Sequence, residues 1–253
     1  MPSNSTPLLE LGSTSKSFGG VSAVSEISLK VYTGQICGLI GPNGAGKSTL
    51  LGLIAGSILP SGGHINYCGK DITKLSMYRR ARLGISRTFQ LAHTFESMSV
   101  AENIMIGADD HRRLNVIGAL MGISRPSGNR TAELDAVMDL VGVREFADLP
   151  ASRLTFGQLR MVATGRAIAA KPKLLLLDEP AAGLSGKDIE ALAAAIHNVR
   201  SNGTTVLIVE HNMDLIMQLC DHIVVVHLGR KIGEGRPEEV RQSEQVLEAY
   251  LGT

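Results

Sequence analysis

Residues Gly41 to Thr49 read GPNGAGKST, set between the apolar runs ICGLI and LLGLIAG. Five apolar residues in a row suggest a buried strand, and the spacing that follows Lys47 suggests a helix starting there. The stretch fits G-x-x-x-x-G-K-[ST] in full, a pattern that counts when it joins a strand to a helix. Glycines let the chain curl so that successive N–H groups point inward, and the helix N-terminus adds partial positive charge. A chance glycine-rich turn has no reason to sit at such a junction. The expectation is a phosphate cradle made of Gly41, Pro42, Asn43, Gly44, Ala45, Gly46, Lys47, Ser48 and Thr49. In it Lys47 reaches the β- and γ-phosphates and the Ser48 hydroxyl ligates magnesium.

A second buried strand, LLLLDEP, ends in Asp178 and Glu179. Neighbouring side chains of a strand point to opposite faces, so the two carboxylates cannot share one packing purpose. Asp178 is expected in the magnesium shell. Glu179 is expected to polarise a water in line with the γ-phosphate. An exposed turn would explain acidity there, but not its arrival after four leucines.

Outward from these motifs, the chain divides by pattern. After a polar tail, LLELG reads as an edge strand, and ISLKVY (Ile27–Tyr32) alternates with period two as a half-solvated strand does. HINYC, followed by Gly69 and Lys70, gives a short strand and turn, and Pro60-Ser61-Gly62-Gly63 stops the helix begun at Lys47. From Leu91 to Arg153, ENIMIGA and AELDAVMDLVGV show helical spacing with no strand run. From Gly157 onward, GQLRMVATGRAIAA, KLLLLDEP, DIEALAAAIHNVR, TTVLIVEH, MDLIMQLC and HIVVVHLG alternate helix with strand. Short apolar strands between amphipathic helices imply a parallel sheet covered on both faces. The expected class is α/β with a mainly parallel sheet, a small antiparallel β subdomain and a helical insertion.

Composition narrows the function. Across 253 residues, 25 basic and 24 acidic side chains leave a net charge of +1, with no block of one sign to grip nucleic acid. Aromatics are 4% and Trp is absent, which leaves little for a base-stacking groove. Cys37, Cys68 and Cys220 are odd in number and widely spaced, so they read as small buried hydrophobes in a reducing compartment. No apolar run approaches the ~18 residues of a membrane helix, and the expectation is a soluble, cytosolic chain.

Three further features complete a pattern: LTFGQ (Leu154–Gln158) ahead of LLLLDEP, Gln90 closing GISRTFQ, and His211 after TTVLIVE. Together with the cradle they make the chain resemble the ATP-binding subunits of ABC transporters over nearly its whole length. The resemblance implies a phosphate-loop NTPase of the ABC ATPase kind that hydrolyses ATP with Mg2+. It implies that Phe18, in SFGG, stacks on adenine, and that Gln90 touches magnesium and the attacking water. It assigns His211 to the γ-phosphate and Thr155, Phe156, Gly157 and Gln158 to the nucleotide of a partner subunit. Glu179, His211, Lys47 and Gln90 then form the catalytic set, and Ser48, Gln90 and Asp178 the metal set. The chain departs from the commoner LSGGQ at Phe156, where a glycine is usual, and from the family pattern at Ser185, where an aspartate is usual. His222 and His227, which flank VVV, read as packing or edge residues.

Within the family, DEPAAGL, RTFQ, VEHNMDLIM and LEAYLGT resemble the branched-chain amino-acid importer subgroup. That implies one ABC ATPase domain, 1–253, with a nucleotide-binding core at 1–90 and 157–253 and a helical subdomain at 91–156. It implies a second ATPase subunit, identical or related, two integral-membrane permease subunits and a solute-binding protein, with no nucleic acid. The chain would lie in the cytoplasm, peripheral on the inner face of the membrane, and dock through Gln90 and Leu91–Glu96. Two alternatives are an ATPase that extracts lipid or lipopolysaccharide, which would share nearly all of these motifs, and a soluble non-transport ABC ATPase, which usually carries long coiled coils, zinc modules or a second ATPase domain that this chain has no room for. A phosphate-loop kinase would need an acceptor pocket and lid in place of LTFGQ, Gln90 and His211.

Overall fold

The computed structural model describes residues 6–88, 94–108, 128–184 and 186–251, with 128–131 and 251 as backbone alone. The run ICGLI forms β3 (Ile36–Ile40), inside a six-stranded sheet that also holds β6 (Ile85–Arg87), β7 (Leu174–Asp178), β8 (Thr205–Val209), β9 (His222–His227) and β10 (Arg230–Gly235). Its order is β10-β9-β3-β8-β7-β6, parallel throughout except for β10, which runs antiparallel to β9. Continuous apolar runs suit these strands because both faces are covered. On β3, Ile36 and Ile40 enter one core while Cys37 and Leu39 enter the other, and β7, β8 and β9 alternate in the same way.

One core lies under the helical layer: α5 (Phe156–Ala169), α6 (Lys187–Ser201), α7 (Met213–Leu219) and the short α8 (Pro237–Arg241) and α9 (Glu244–Leu251). The other encloses α1 (Lys47–Ala55), which is buried almost all round between the main sheet and a second, antiparallel sheet. That sheet has the order β2-β1-β4-β5, from β1 (Leu9–Phe18), β2 (Val21–Val31), β4 (Gly62–Tyr67) and β5 (Lys70–Asp71). A helix apolar on every side is stable only when walled in. Its C-terminus is closed by Arg80 of α2 (Met77–Arg82), a fully buried side chain that donates to Leu53 O at 2.6 Å and Ile54 O at 2.9 Å.

LLELG was expected at an edge. It begins β1, which pairs with β2 on one side and β4 on the other, so it is an interior strand. Leu9 and Leu11 face the core, and the strand continues through the polar GSTSKSF by means of register shifts, a run whose sequence carries no strand signal. Between residues 94 and 153 the described elements are α3 (Val100–Ala108), α4 (Gly128–Leu140) and short 3₁₀ turns at Arg144–Phe146 and Ala151–Arg153. The strand β6 and the C-terminal β10, α8 and α9 were not anticipated, since each is short or mixed in composition.

The cysteine expectation holds for two of three. Cys37 and Cys220 are buried, Cys220 filling the space that Gly38 leaves on β3, but Cys68 is exposed because it opens the two-residue turn between β4 and β5. Burial pushes the Cys37 thiol up to about 12 and the Cys220 thiol higher still. A thiol reagent is therefore expected to modify Cys68 alone in the folded protein and all three cysteines in denaturant. Fast labelling of a second cysteine under native conditions would contradict that packing.

Candidate functional site

The loop after β3 is built by its glycines. Gly41, Gly44 and Gly46 have φ of 154°, 77° and 98°, values that L side chains rarely adopt. Space forbids substitution as well, since a Cβ on Gly41 would lie 2.0 Å from Val226 O and one on Gly46 2.3 Å from Ala23 O. Gly46 caps α1, so the first N–H groups of that helix open onto the loop. Lys47, 6% exposed, folds over the concavity and donates to Gly41 O at 2.6 Å and Pro42 O at 2.8 Å. Burial lowers its pKa, and the nearby carboxylates of Glu179 and Asp178 act against that shift. Ser48 is exposed at the mouth of the loop.

Asp178 closes β7 and is 4% exposed. Its Oδ2 pairs with Arg87 Nη2 at 2.8 Å, while its buried Oδ1 has no hydrogen-bond partner. A buried carboxylate oxygen without a donor costs energy unless something else uses it. That orphan oxygen, close to Lys47 and the loop, suits a small cation shared with phosphate oxygens. Glu179, one residue on, has φ of 47° and donates its N–H to Val209 O at 2.9 Å.

A third acid escaped the sequence reading. Glu210, fully buried at the end of β8, accepts from the N–H groups of Ala181 at 2.6 Å, His211 at 3.1 Å and Asn212 at 3.4 Å. It ties the turn after Glu179 to the loop that carries His211, whose side chain is 60% exposed with Nδ1 3.9 Å from Glu210 Oε2. The signal was present, for TTVLIVE ends in an acid after an apolar run just as LLLLDE does. Glu210→Ala would leave these backbone N–H groups without their acceptor and is expected to cost about 3 kcal/mol or more by urea denaturation. A loss below about 1 kcal/mol, within the range of one ordinary hydrogen bond, would contradict the pinning role.

LTFGQ forms the start of α5. Thr155 is its N-cap, with Gln158 N donating to Thr155 Oγ1 at 3.3 Å and Thr155 N to Gln158 Oε1 at 2.9 Å, a capping box. The box engages both polar side chains and leaves the N–H groups of Phe156 and Gly157 as the open first turn. Phe156 takes no inward place. Its half-exposed ring lies against Gly183 on one side and under the Arg160 guanidinium, 5.0 Å from the ring centroid, on the other. Gly157 faces Leu184 and Asp188, which a Cβ would crowd.

Phe18 is 48% exposed beside the Gly19-Gly20 turn, with the Lys16 ammonium 5.0 Å from its ring centroid. Its hairpin runs on to Ala23, whose carbonyl lies against Gly46. The structure thus brings together the loop, Lys47, Asp178 and Glu179, and links Glu179 to His211 through Glu210. Gln90 and Ser185 lie outside the described residues, as do 91–93. Of the other histidines singled out, His222 is half-buried with Nε2 3.7 Å from Glu234 Oε2.

Among the described residues no helix is long and apolar enough to cross a membrane, and no group of three or more His, Cys, Asp or Glu could hold a metal by itself. Residues 24–182 match the sequence model of the ABC transporter family, and residues 230–253 match that of the branched-chain amino acid ATP-binding cassette transporter. The chain is 39% identical to the high-affinity branched-chain amino acid transport ATP-binding protein BraF of Pseudomonas aeruginosa. It is 36% identical to LivG of Escherichia coli, and both alignments cover 98% of this chain and 99% of the relative. Among solved structures, an ATP-binding cassette of an ABC transporter in its ADP conformation superposes with a TM-score of 0.86 at 29% identity, over 98% of this chain and all of that one. A nucleotide-free cassette gives 0.84 at 28% identity, again over 98% of this chain. Phosphate loop, paired acids and capped α5 start, in that order on this fold and with these relatives, mean that the chain belongs to the ABC transporter family, as an ATP-binding subunit that hydrolyses ATP.

Proposed function

We propose that the chain drives an importer for branched-chain or closely related amino acids, working on the inner face of the membrane as one of a pair of ATPase subunits. The observation that carries this reading is the C-terminal segment. Residues 230–253 match the branched-chain subgroup, and within the described part of that segment Val246 and Tyr250 of α9 pack into the core under the helical layer. Full-length relatives named for the same transport support the substrate class.

In this reading ATP phosphates lie in the Gly41–Thr49 cradle and Phe18 carries the adenine. Lys47 exchanges its carbonyl contacts for β- and γ-phosphate oxygens. Ser48, Asp178 through its orphan oxygen, and Gln90 would hold Mg2+, which when bound neutralises charge on the phosphates. Glu179 takes a proton from the attacking water, and His211 contacts the γ-phosphate from the loop that Glu210 fixes. The open α5 N-terminus faces the nucleotide of the partner subunit in a head-to-tail pair, so each site is completed in trans. The second member of the pair is an identical or related ATPase subunit, and an extracellular solute-binding protein delivers the amino acid.

The segment 91–156 next to Gln90 is the docking face for the permease subunits. Buried Asn103 supports this: it accepts from Phe95 N at 2.8 Å and donates to Phe95 O at 3.0 Å and Ser99 O at 2.9 Å, which shapes the loop so that Phe95 is presented to solvent. Replacing the native chain by its Glu179→Gln variant in cells is expected to abolish uptake of labelled leucine, isoleucine or valine and to spare unrelated solutes. Unaltered uptake of all three, with the variant present at normal abundance, would overturn the substrate class.

A further inference from the structure

Glu179 stands in a backbone conformation that a non-glycine residue holds only when its surroundings impose it. Its N–H is fixed by Val209 O on β8. Its carbonyl accepts from Ala182 N at 3.2 Å, within the turn, and from Arg160 Nη1, which comes from a different element. Arg160 lies on α5, a little over one turn after the Thr155 cap, and is 7% exposed. A buried guanidinium is costly to place, and here it reaches past the turn to a backbone oxygen of the proposed base. The Phe156 ring covers it, and that ring in turn rests on Gly183, three residues beyond Pro180 in the turn that Glu179 opens. Gly183 has φ of 77°, and a Cβ there would come within 2.9 Å of the ring, so the turn is shaped to admit the aromatic. Burial lowers the Arg160 pKa while Glu210 and Glu179 work against that shift, which agrees with its place between the two acids.

We infer that Arg160 is a positioning residue for Glu179, held in place by Phe156, so that the start of α5 and the proposed catalytic acid of the same chain move together. The phenylalanine that departs from LSGGQ thereby acquires a function as the platform for this arginine. The inference rests on the reading of Glu179 as the base. If the α5 N-terminus meets the partner's nucleotide, occupancy of one site bears directly on the acid of the other.

The test is steady-state ATP turnover of the full chain carrying Arg160→Met, Arg160→Lys and Glu179→Gln, singly and combined. Arg160→Met is expected to lower kcat about tenfold or more, as a small misplacement of a catalytic group can, with KM within about twofold of wild type. Arg160→Lys, which keeps a cationic donor but stacks poorly on the ring, is expected to recover part of the loss. In the Glu179→Gln background Arg160→Met should change the residual rate little, since the group it positions is already gone. An undiminished kcat for Arg160→Met, or an equal fold-loss with and without Glu179, would overturn the proposal. If Arg160→Met fails to fold, Arg160→Lys decides, and a kcat equal to wild type would count against the inference. Should Glu179→Gln itself turn over normally, the reading of Glu179 falls, which is a different failure.

Discussion

Glu179→Gln is expected to lower ATP turnover by about 10²–10⁴-fold, the usual contribution of a positioned general base, while nucleotide binding stays near its wild-type value. The change alters one atom and keeps the side chain's size. The backbone anchors, Glu179 N–H donating to Val209 O and Arg160 donating to Glu179 O, do not involve the carboxylate, so the turn should keep its shape. The basicity of the side chain is removed together with its charge, which acts on Lys47 and Arg160. An enzyme that binds ATP but cannot cleave it should remain in its ATP-bound form, and sedimentation in ATP is then expected to show a dimer that ADP does not produce. Turnover within about twofold of wild type would remove Glu179 from the role of base, because a group supplying 10²-fold or more cannot be so dispensable.

Lys47→Ala is expected to weaken ATP binding by about 30- to 100-fold, the equivalent of one charge-assisted hydrogen bond lost from the loop. The ammonium bridges Gly41 O and Pro42 O and is nearly buried, so it is positioned before any phosphate arrives. It also pays a desolvation penalty, which is the first cause of its lowered pKa. Removing it should therefore cost the nucleotide-free protein little, and the melting temperature without ATP is expected to change by only a few degrees. Titration with a fluorescent ATP analogue measures the affinity. Near wild-type binding would mean that the backbone N–H groups alone hold the phosphates.

The parts of this molecule that could be read from sequence are those where local chemistry and global fold agree. ICGLI, LLLLD, TVLIV and HIVVVH are short, apolar and followed by loops with a distinct residue chemistry, so strand, junction and site appear together. LTFGQ likewise signals a helix start, and the capping box of Thr155 and Gln158 is its physical cause. β1 misled because an interior strand need not be apolar along its length: between Leu11 and Phe18 its residues are polar or glycine, and the bulged register is set by its two neighbours. The contribution of Arg160 was illegible for another reason. Its partner is a backbone carbonyl 19 residues away, and nothing in residue types records which carbonyl a buried arginine will meet. Arg87 was missed in the same way, since its pairing with Asp178 spans 91 residues and depends on β6 lying beside β7.

Purification of the tagged chain from its native cells in mild detergent, followed by mass spectrometry of the proteins recovered with it, tests the account most directly. The account predicts two multi-helix permease subunits and a second ABC ATPase in reproducible proportion, and loss of the permeases when Phe95 is changed to Asp at the proposed docking face. Recovery of only soluble, ribosomal or nucleic-acid-bound partners, with membrane proteins absent, would contradict it and leave an ATPase without a transporter.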